Sequence, residues 1–171
     1  MCRTTFSDGM AALMGIGCRP MRVGEEDVVA MMLRKVPPHL GLPETAKVTG
    51  QSLRDNAELV HITVALDSGL LLGVCSWLIT YSSWHGMKGM LVCDLFVMEH
   101  KRGSGIGEKL LRSAAKEAEK LGAGFIKLES NSDNFSVSNY FRKKNFKPGD
   151  SNEILSLDPD DFAAFIEGSV A

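Results

Sequence analysis

The chain has 171 residues, enough for one domain with a substantial core, and its 19 basic and 21 acidic residues leave a formal charge of −2. That balance supplies no basic face for nucleic acid, and no apolar run reaches the roughly 18 residues that a membrane span requires. Four cysteines, Cys2, Cys18, Cys75 and Cys93, stand far apart without a C-x-x-C pair, which points to free thiols in a reducing, cytoplasmic setting and away from zinc or a disulfide framework.

Residues 1–17 hold one arginine and a glycine-broken apolar patch, and read as a loose leader ahead of a single domain over 18–171. Cys18–Val23 reads as a short strand and Glu25–Val36 as a helix stopped by Pro37 and Pro38. Thr49 is placed to cap a second helix over Gly50–Glu58. The β-branched run Leu59–Leu66, the tight turn Asp67–Gly69 and the run Leu70–Tyr81 predict a hairpin. After a loop over Ser82–Gly89, the nearly continuous apolar run Met90–Met98 predicts a strand buried on both faces.

The strongest helical pattern follows. Ile106, Leu110, Leu111, Ala114, Ala115, Ala118 and Leu121 fall on one face, and Gly122 and Gly124 are positioned to end the helix. Phe125–Ser130 reads as a strand, Ser136–Asn145 as a short helix and Asn152–Leu157 as a late strand. Asp158 then caps a final helix with Pro159 at its first position. The order predicts an α/β (α+β) domain with a mixed sheet.

Between the apolar strand and the long helix lies "HKRGSGIGEKLL", with Gly103, Gly105 and Gly107 behind Arg102. Glu108 after the last glycine excludes a P-loop, and G-x-G-x-G is one residue too short for a dinucleotide fingerprint. What remains is a glycine turn opening a helix, whose N–H groups and positive dipole end suit an anion, above all a pyrophosphate. A tight connection that binds nothing is the plain alternative.

The R-x-x-G-x-G turn, with "VCDLFVM" before it and "NSDNFSVSNYFRKKNF" after it, resembles the GNAT acyl-CoA N-acetyltransferases from about Cys18 to Glu167. The resemblance implies a mixed, mostly antiparallel central sheet flanked by helices, with acetyl-CoA as co-substrate and no metal. It implies that Arg102, Gly103, Ser104, Gly105, Ile106, Gly107 and Glu108 hold the pyrophosphate, and that Leu95, Phe96 and Val97 pair with the pantetheine arm. It further implies that Asn134, Val137 and Phe141 reach the cofactor from the other side. The run "TYSSWHG" before "CDLFVMEHKRGSGIG" is similar to the spermidine/spermine branch, which implies a small polyamine, diamine or lysine-like acceptor. On that reading Trp84, Cys93, Asp94 and Glu129 line the amine site, no nucleic acid or membrane takes part, and room is left for a homodimer. A protein N-acetyltransferase and a weakly active or non-catalytic acetyl-CoA binder are the alternatives.

Two positions depart from that branch. Its strand carries a Glu-Asp pair where this chain has Cys93-Asp94, so Asp94 remains as the catalytic carboxylate beside a thiol. Its helix carries a tyrosine, the general acid toward the departing thiol, where this chain has Phe141, while Tyr140 stands one residue earlier. One residue is about 100° of helix rotation, so Tyr140 serves as the acid only if the register shifts.

Overall fold

Runs of β-branched and apolar residues between Ile16 and Leu128 assemble into one five-stranded sheet, seen in a computed structural model that describes residues 15–36, 46–128 and 135–147. The strands are β1 (Ile16–Pro20), β2 (His61–Asp67), β3 (Leu70–Ser82), β4 (Met87–Val97) and β5 (Ala123–Leu128), in spatial order β1-β2-β3-β4-β5. The first four are antiparallel; β5 runs parallel to β4 because helix α3 (Ile106–Lys120) carries the chain back across the sheet. This is the mixed, mostly antiparallel sheet with flanking helices that the resemblance implies. Ser68 and Gly69, at φ 49° and 85°, make the two-residue β2–β3 turn whose twist matches its strands.

The chain divides into two compact units, Met1–Asn131 with the sheet and Ser132–Ala171 with helix α4 (Phe135–Arg142). In the first unit, Ile62, Val64, Val74 and Phe96 pack against Val29, Ala30, Met32, Leu33 and Leu53 from helices α1 (Glu26–Leu33) and α2 (Gly50–Asp55). Helix α3 crosses the opposite face, burying Ile106, Leu110, Leu111, Ala114 and Ala118, with Leu110 against the backbone at Gly73.

Several boundaries differ from the sequence expectation. β1 begins at Ile16, which is buried, so the first strand starts inside the stretch read as leader. Helix α1 stops at Leu33, three residues short of the expected Val36. Thr49 does cap α2, in a reciprocal box with Ser52 at 3.0 and 2.9 Å. That helix ends at Asp55, where the Asn56 side-chain amide donates to the Ser52 carbonyl at 2.8 Å in place of another turn. Gly122, at φ 92°, suffices to end α3, and Gly124 is already in β5. The expected loop Ser82–Gly89 shrinks to the turn at residues 83–86, since both flanking strands run on. The late strand Asn152–Leu157, the final helix after Asp158 and residues 1–14 of the leader lie outside the described residues.

In the second unit, α4 ends three residues before the expected Asn145. Asn145 adopts φ 65°, and its N–H donates to Arg142 O at 3.0 Å while Phe146 N–H donates to Phe141 O at 3.1 Å. This is a Schellman stop, and the apolar contact it favours is present, with the Phe141 and Phe146 rings 5.2 Å apart.

One ion pair ties β1 to the start of α1. Arg19 grips Glu25 bidentately at 2.8 and 2.6 Å, and Arg22 N–H adds a bond at 2.8 Å. The Arg19 hydrogen bonds are the main reason the Glu25 carboxyl falls from 4.5 to about 2. A carboxyl lowered in the folded state stabilises above its unfolded pKa, and that contribution is lost as pH falls through the folded value. Stability should therefore drop between about pH 4.5 and 2, and Glu25→Gln should lower it by about 1–2 kcal/mol at neutral pH. Denaturant titrations of both proteins at pH 7 and pH 3 check this: the difference between them must narrow at the lower pH.

Candidate functional site

The site is built around an irregularity in β4. Ser76 pairs with Asp94, yet the next residue, Trp77, pairs with Val92, so Cys93 is the extra residue of a β-bulge. A bulge bends its strand and re-aims side chains, which corrects the expectation of a strand buried on both faces. Met90, Val92 and Phe96 are buried, Leu95 and Val97 partly so, and Cys93 is exposed. Asp94 lies on the face covered by α1 and α2, since its partner Ser76 alternates with Val74 of that core. Its Oδ2 accepts a 2.6 Å hydrogen bond from the hydroxyl of Ser76, a side chain that is 2% exposed. Cys75, the neighbour of Ser76 on β3, is pushed up to about 12 by burial and then by Asp94 and Cys93, so it stays a protonated thiol.

Beyond the bulge, β4 pairs with β3 alone among the described residues. The ladder to β5 ends at Val92–Leu128, and among the described residues no strand pairs with the outer edge from Cys93 to Val97. Met98 N–H donates inward to Leu72 O at 2.9 Å, so alternation turns the Val97 amide and carbonyl outward, and Leu95 likewise. Arg102 confirms the direction: its Nε donates to Val97 O at 3.0 Å, while its guanidinium lies 5.6 Å from the Phe96 ring centroid. The arginine expected at the rim of an anion site is thus folded over the end of β4.

The glycine turn leads from there into α3. Gly103 and Gly105 take φ 74° and 84°, the left-handed region that L side chains rarely enter. Gly105 is the N-cap of α3 and offers no side-chain cap, so a partner for the first-turn N–H groups must come from elsewhere. A Cβ on Gly103 would meet no atom within 4 Å; one on Gly107 would make only ordinary contacts with Val97 and Leu95, at 3.8 and 4.0 Å. Ser104 ties the turn to Lys101 O at 2.6 Å, Ile106 is buried, and Glu108 pairs with Arg112 at 2.8 Å. An open turn at a helix N-terminus, beside an outward-facing strand edge, fits a pyrophosphate with an amide-bearing arm.

Not every expected residue joins this cluster. Trp84 is 92% exposed in the turn beyond β3 and is neither a pocket wall nor a packing aromatic. Residues 87 to 94 of β4, at about 3.3 Å each, put that turn on the order of 20 Å from Asp94. Glu129 and Asn134 lie outside the described residues, as does the side chain of Val137 in α4. In the second unit Phe141 is 9% exposed and Tyr140 39%, with their rings edge to face at 5.3 Å. A cavity of about 290 Å³ between the second half of α3 and β5, lined by Met90, Ala118 and Phe125 among others, lies at the far end of α3 from the glycine turn. Sequence reasoning missed Ser76: its pairing with Asp94 follows from the bulge, which no residue pattern announced.

A sheet with this order, a β4 edge without a strand partner among the described residues and a glycine-turned helix behind it are the frame of an acyltransferase, and the family match bears this out. The chain belongs to the acetyltransferase (GNAT) family, whose pattern it matches over residues 29–146. Enzymes of that family take their acetyl group from acetyl-CoA. None of the curated proteins matches the sequence. Among solved structures, an integron cassette protein from the mobile metagenome of V. cholerae superposes with a TM-score of 0.72 at 17% identity, over 90% of this chain and 99% of that one. An aminoglycoside acetyltransferase from an uncultured soil metagenomic sample, solved with sisomicin, gives 0.70 at 12% identity, over 84% and 97%. A GNAT family acetyltransferase from Staphylococcus aureus gives 0.60 at 15% identity, over 84% and 100%. At these identities the likeness is one of fold.

Proposed function

We propose that this acetyltransferase acts on a primary amine of a small cationic molecule, a polyamine, diamine or lysine-like compound, in the cytoplasm. The observation that carries the reading is Asp94: a carboxylate on β4, one residue past the bulge and directly before the outward-facing edge at Leu95–Val97. The similarity of "TYSSWHG" and "CDLFVM" to the spermidine/spermine branch supports the same class. So does the aminoglycoside acetyltransferase among the fold relatives, because aminoglycosides also carry several amines.

On this reading the turn from Arg102 to Glu108 would hold the pyrophosphate, and the edge amides of Leu95 and Val97 the pantetheine. Bound there, acetyl-CoA supplies an activated acetyl thioester. At Leu95 the carbonyl serves the arm, while its outward N–H, next along the strand from Asp94, is the donor for negative charge developing on a carbonyl oxygen. Asp94 attracts the ammonium form of the amine and orients it; the proton then leaves to the carboxylate or to water, since only the neutral amine attacks. Phe141 stands in the sequence where the resemblance expects the general acid, and a phenyl ring donates no proton.

Asp94→Asn should raise the Michaelis constant for spermidine by about 10- to 100-fold, the worth of one hydrogen bond to a charged group. That for acetyl-CoA should change less than about twofold, because the removed charge serves the amine. Thiol release measured while each substrate is varied in turn gives both constants. Equal shifts would show that Asp94 only supports the strand.

A further inference from the structure

We propose that Ser76 is a positioning residue for the amine site, acting through Asp94. The inference rests on the reading of Asp94 as the amine's receptor and adds the residue that sets its carboxylate. Ser76 stands opposite Asp94 only because Cys93 is bulged out; in an unbroken ladder the register beyond this point would differ by one residue. Its hydroxyl is buried, donates to Oδ2 at 2.6 Å, and so occupies one of that oxygen's two lone pairs and restrains the carboxylate plane. Oδ1 is then the oxygen presented to a substrate.

The position of the pair strengthens the case. Val74 and Phe96, one step up the ladder, are buried under α1 and α2, whereas Leu78 and Leu91, beyond the bulge, are partly exposed. Ser76 and Asp94 therefore occupy the margin where the helix-covered half of this face ends. A buried hydroxyl must find a partner, and at this margin the partner is a carboxylate. Here it holds the one carboxylate of β4 in a single orientation, and an ammonium bound to one oxygen is sensitive to that orientation.

The test measures spermidine binding to the protein saturated with coenzyme A, by calorimetry, and coenzyme A binding alone. Ser76→Ala should weaken spermidine about 5- to 10-fold, the usual effect of one lost hydrogen bond, and change coenzyme A less than about twofold. In turnover, the Michaelis constant for spermidine should rise with that for acetyl-CoA unmoved. Ser76→Thr, which keeps the hydroxyl, should restore spermidine affinity to within about threefold. In an Asp94→Asn background, Ser76→Ala should add no further loss, because the route runs through Asp94. If the threonine variant fails to fold, the double variant decides alone. Normal spermidine affinity in Ser76→Ala, beside a weakened Asp94→Asn, overturns the role of Ser76 and leaves the amine reading intact. Absence of spermidine binding to the unaltered protein, or an Asp94→Asn variant that binds it normally, overturns the amine reading and this inference with it.

Discussion

Gly105→Asp is expected to remove acetyl-CoA binding, weakening it by about 100-fold or more while the protein stays folded. Gly105 is the N-cap of α3 at φ 84°. Aspartate tolerates the left-handed region better than most side chains, so the strain is modest. At an N-cap its carboxylate accepts from the first-turn N–H groups that Gly105 leaves uncapped. The side chain thus occupies the anion position itself and repels what would replace it. Gly17→Ala, in β1 where an added methyl meets no atom within 4 Å, is the control and should leave acetyl-CoA affinity within about twofold. Calorimetry with acetyl-CoA and a thermal melt of each variant decide the matter. Undiminished affinity in a folded Gly105→Asp protein would remove the pyrophosphate from this turn.

Phe141→Tyr should raise the turnover number by about 10-fold or more, because general-acid assistance is typically worth ~10²- to 10⁴-fold and an engineered acid recovers part of it. The gain should be greatest near neutral pH and shrink toward the thiol's own pKa of about 8.5, where the thiolate leaves unaided. The structure adds a reason to place the change at Phe141 and not at Tyr140. Phe141 is buried against Phe146, whereas Tyr140 is 39% exposed with Lys144 over its ring at 5.9 Å. Tyr140→Phe should accordingly leave turnover within about twofold, as for an ordinary surface change. The new hydroxyl of Phe141→Tyr, if it finds no partner, costs about 1–3 kcal/mol of stability. A steady-state pH series on both variants reads the result. A large loss from Tyr140→Phe with no gain from Phe141→Tyr would move the acid to Tyr140.

The legible parts of this protein were those whose cause is local. Thr49 caps α2 because a hydroxyl reaches its own helix's N–H groups, and Asp67–Gly69 turns because Ser68 and Gly69 accept positive φ. The apolar spacing of Ile106, Leu110, Leu111, Ala114 and Ala118 laid down α3, and Gly103 and Gly105 marked the turn that opens it. The chain's own residues also announced the family, through a turn, a strand and a helix in fixed order. Errors fell where neighbours compete across space. Leu121 continues the apolar spacing but sits exposed at the helix end, and the loop-like stretch ahead of Met90 extends a hairpin held by the partner strand.

What tertiary structure alone decided is the alignment of β4 with its neighbours. The apolar run around Cys93 and Asp94 says that a strand forms, but strand pairing has a period of two, and one extra residue exchanges the faces beyond it. Bulging out Cys93 sets Asp94 against Ser76, while the ladder to β5, ending at Leu128, leaves the Leu95–Val97 edge without a strand partner among the described residues. Trp84 was separated from Asp94 by the same ladder, since each paired residue of a hairpin carries its turn about 3.3 Å further away. Register is a property of two strands at once, and neither strand's sequence contains it alone.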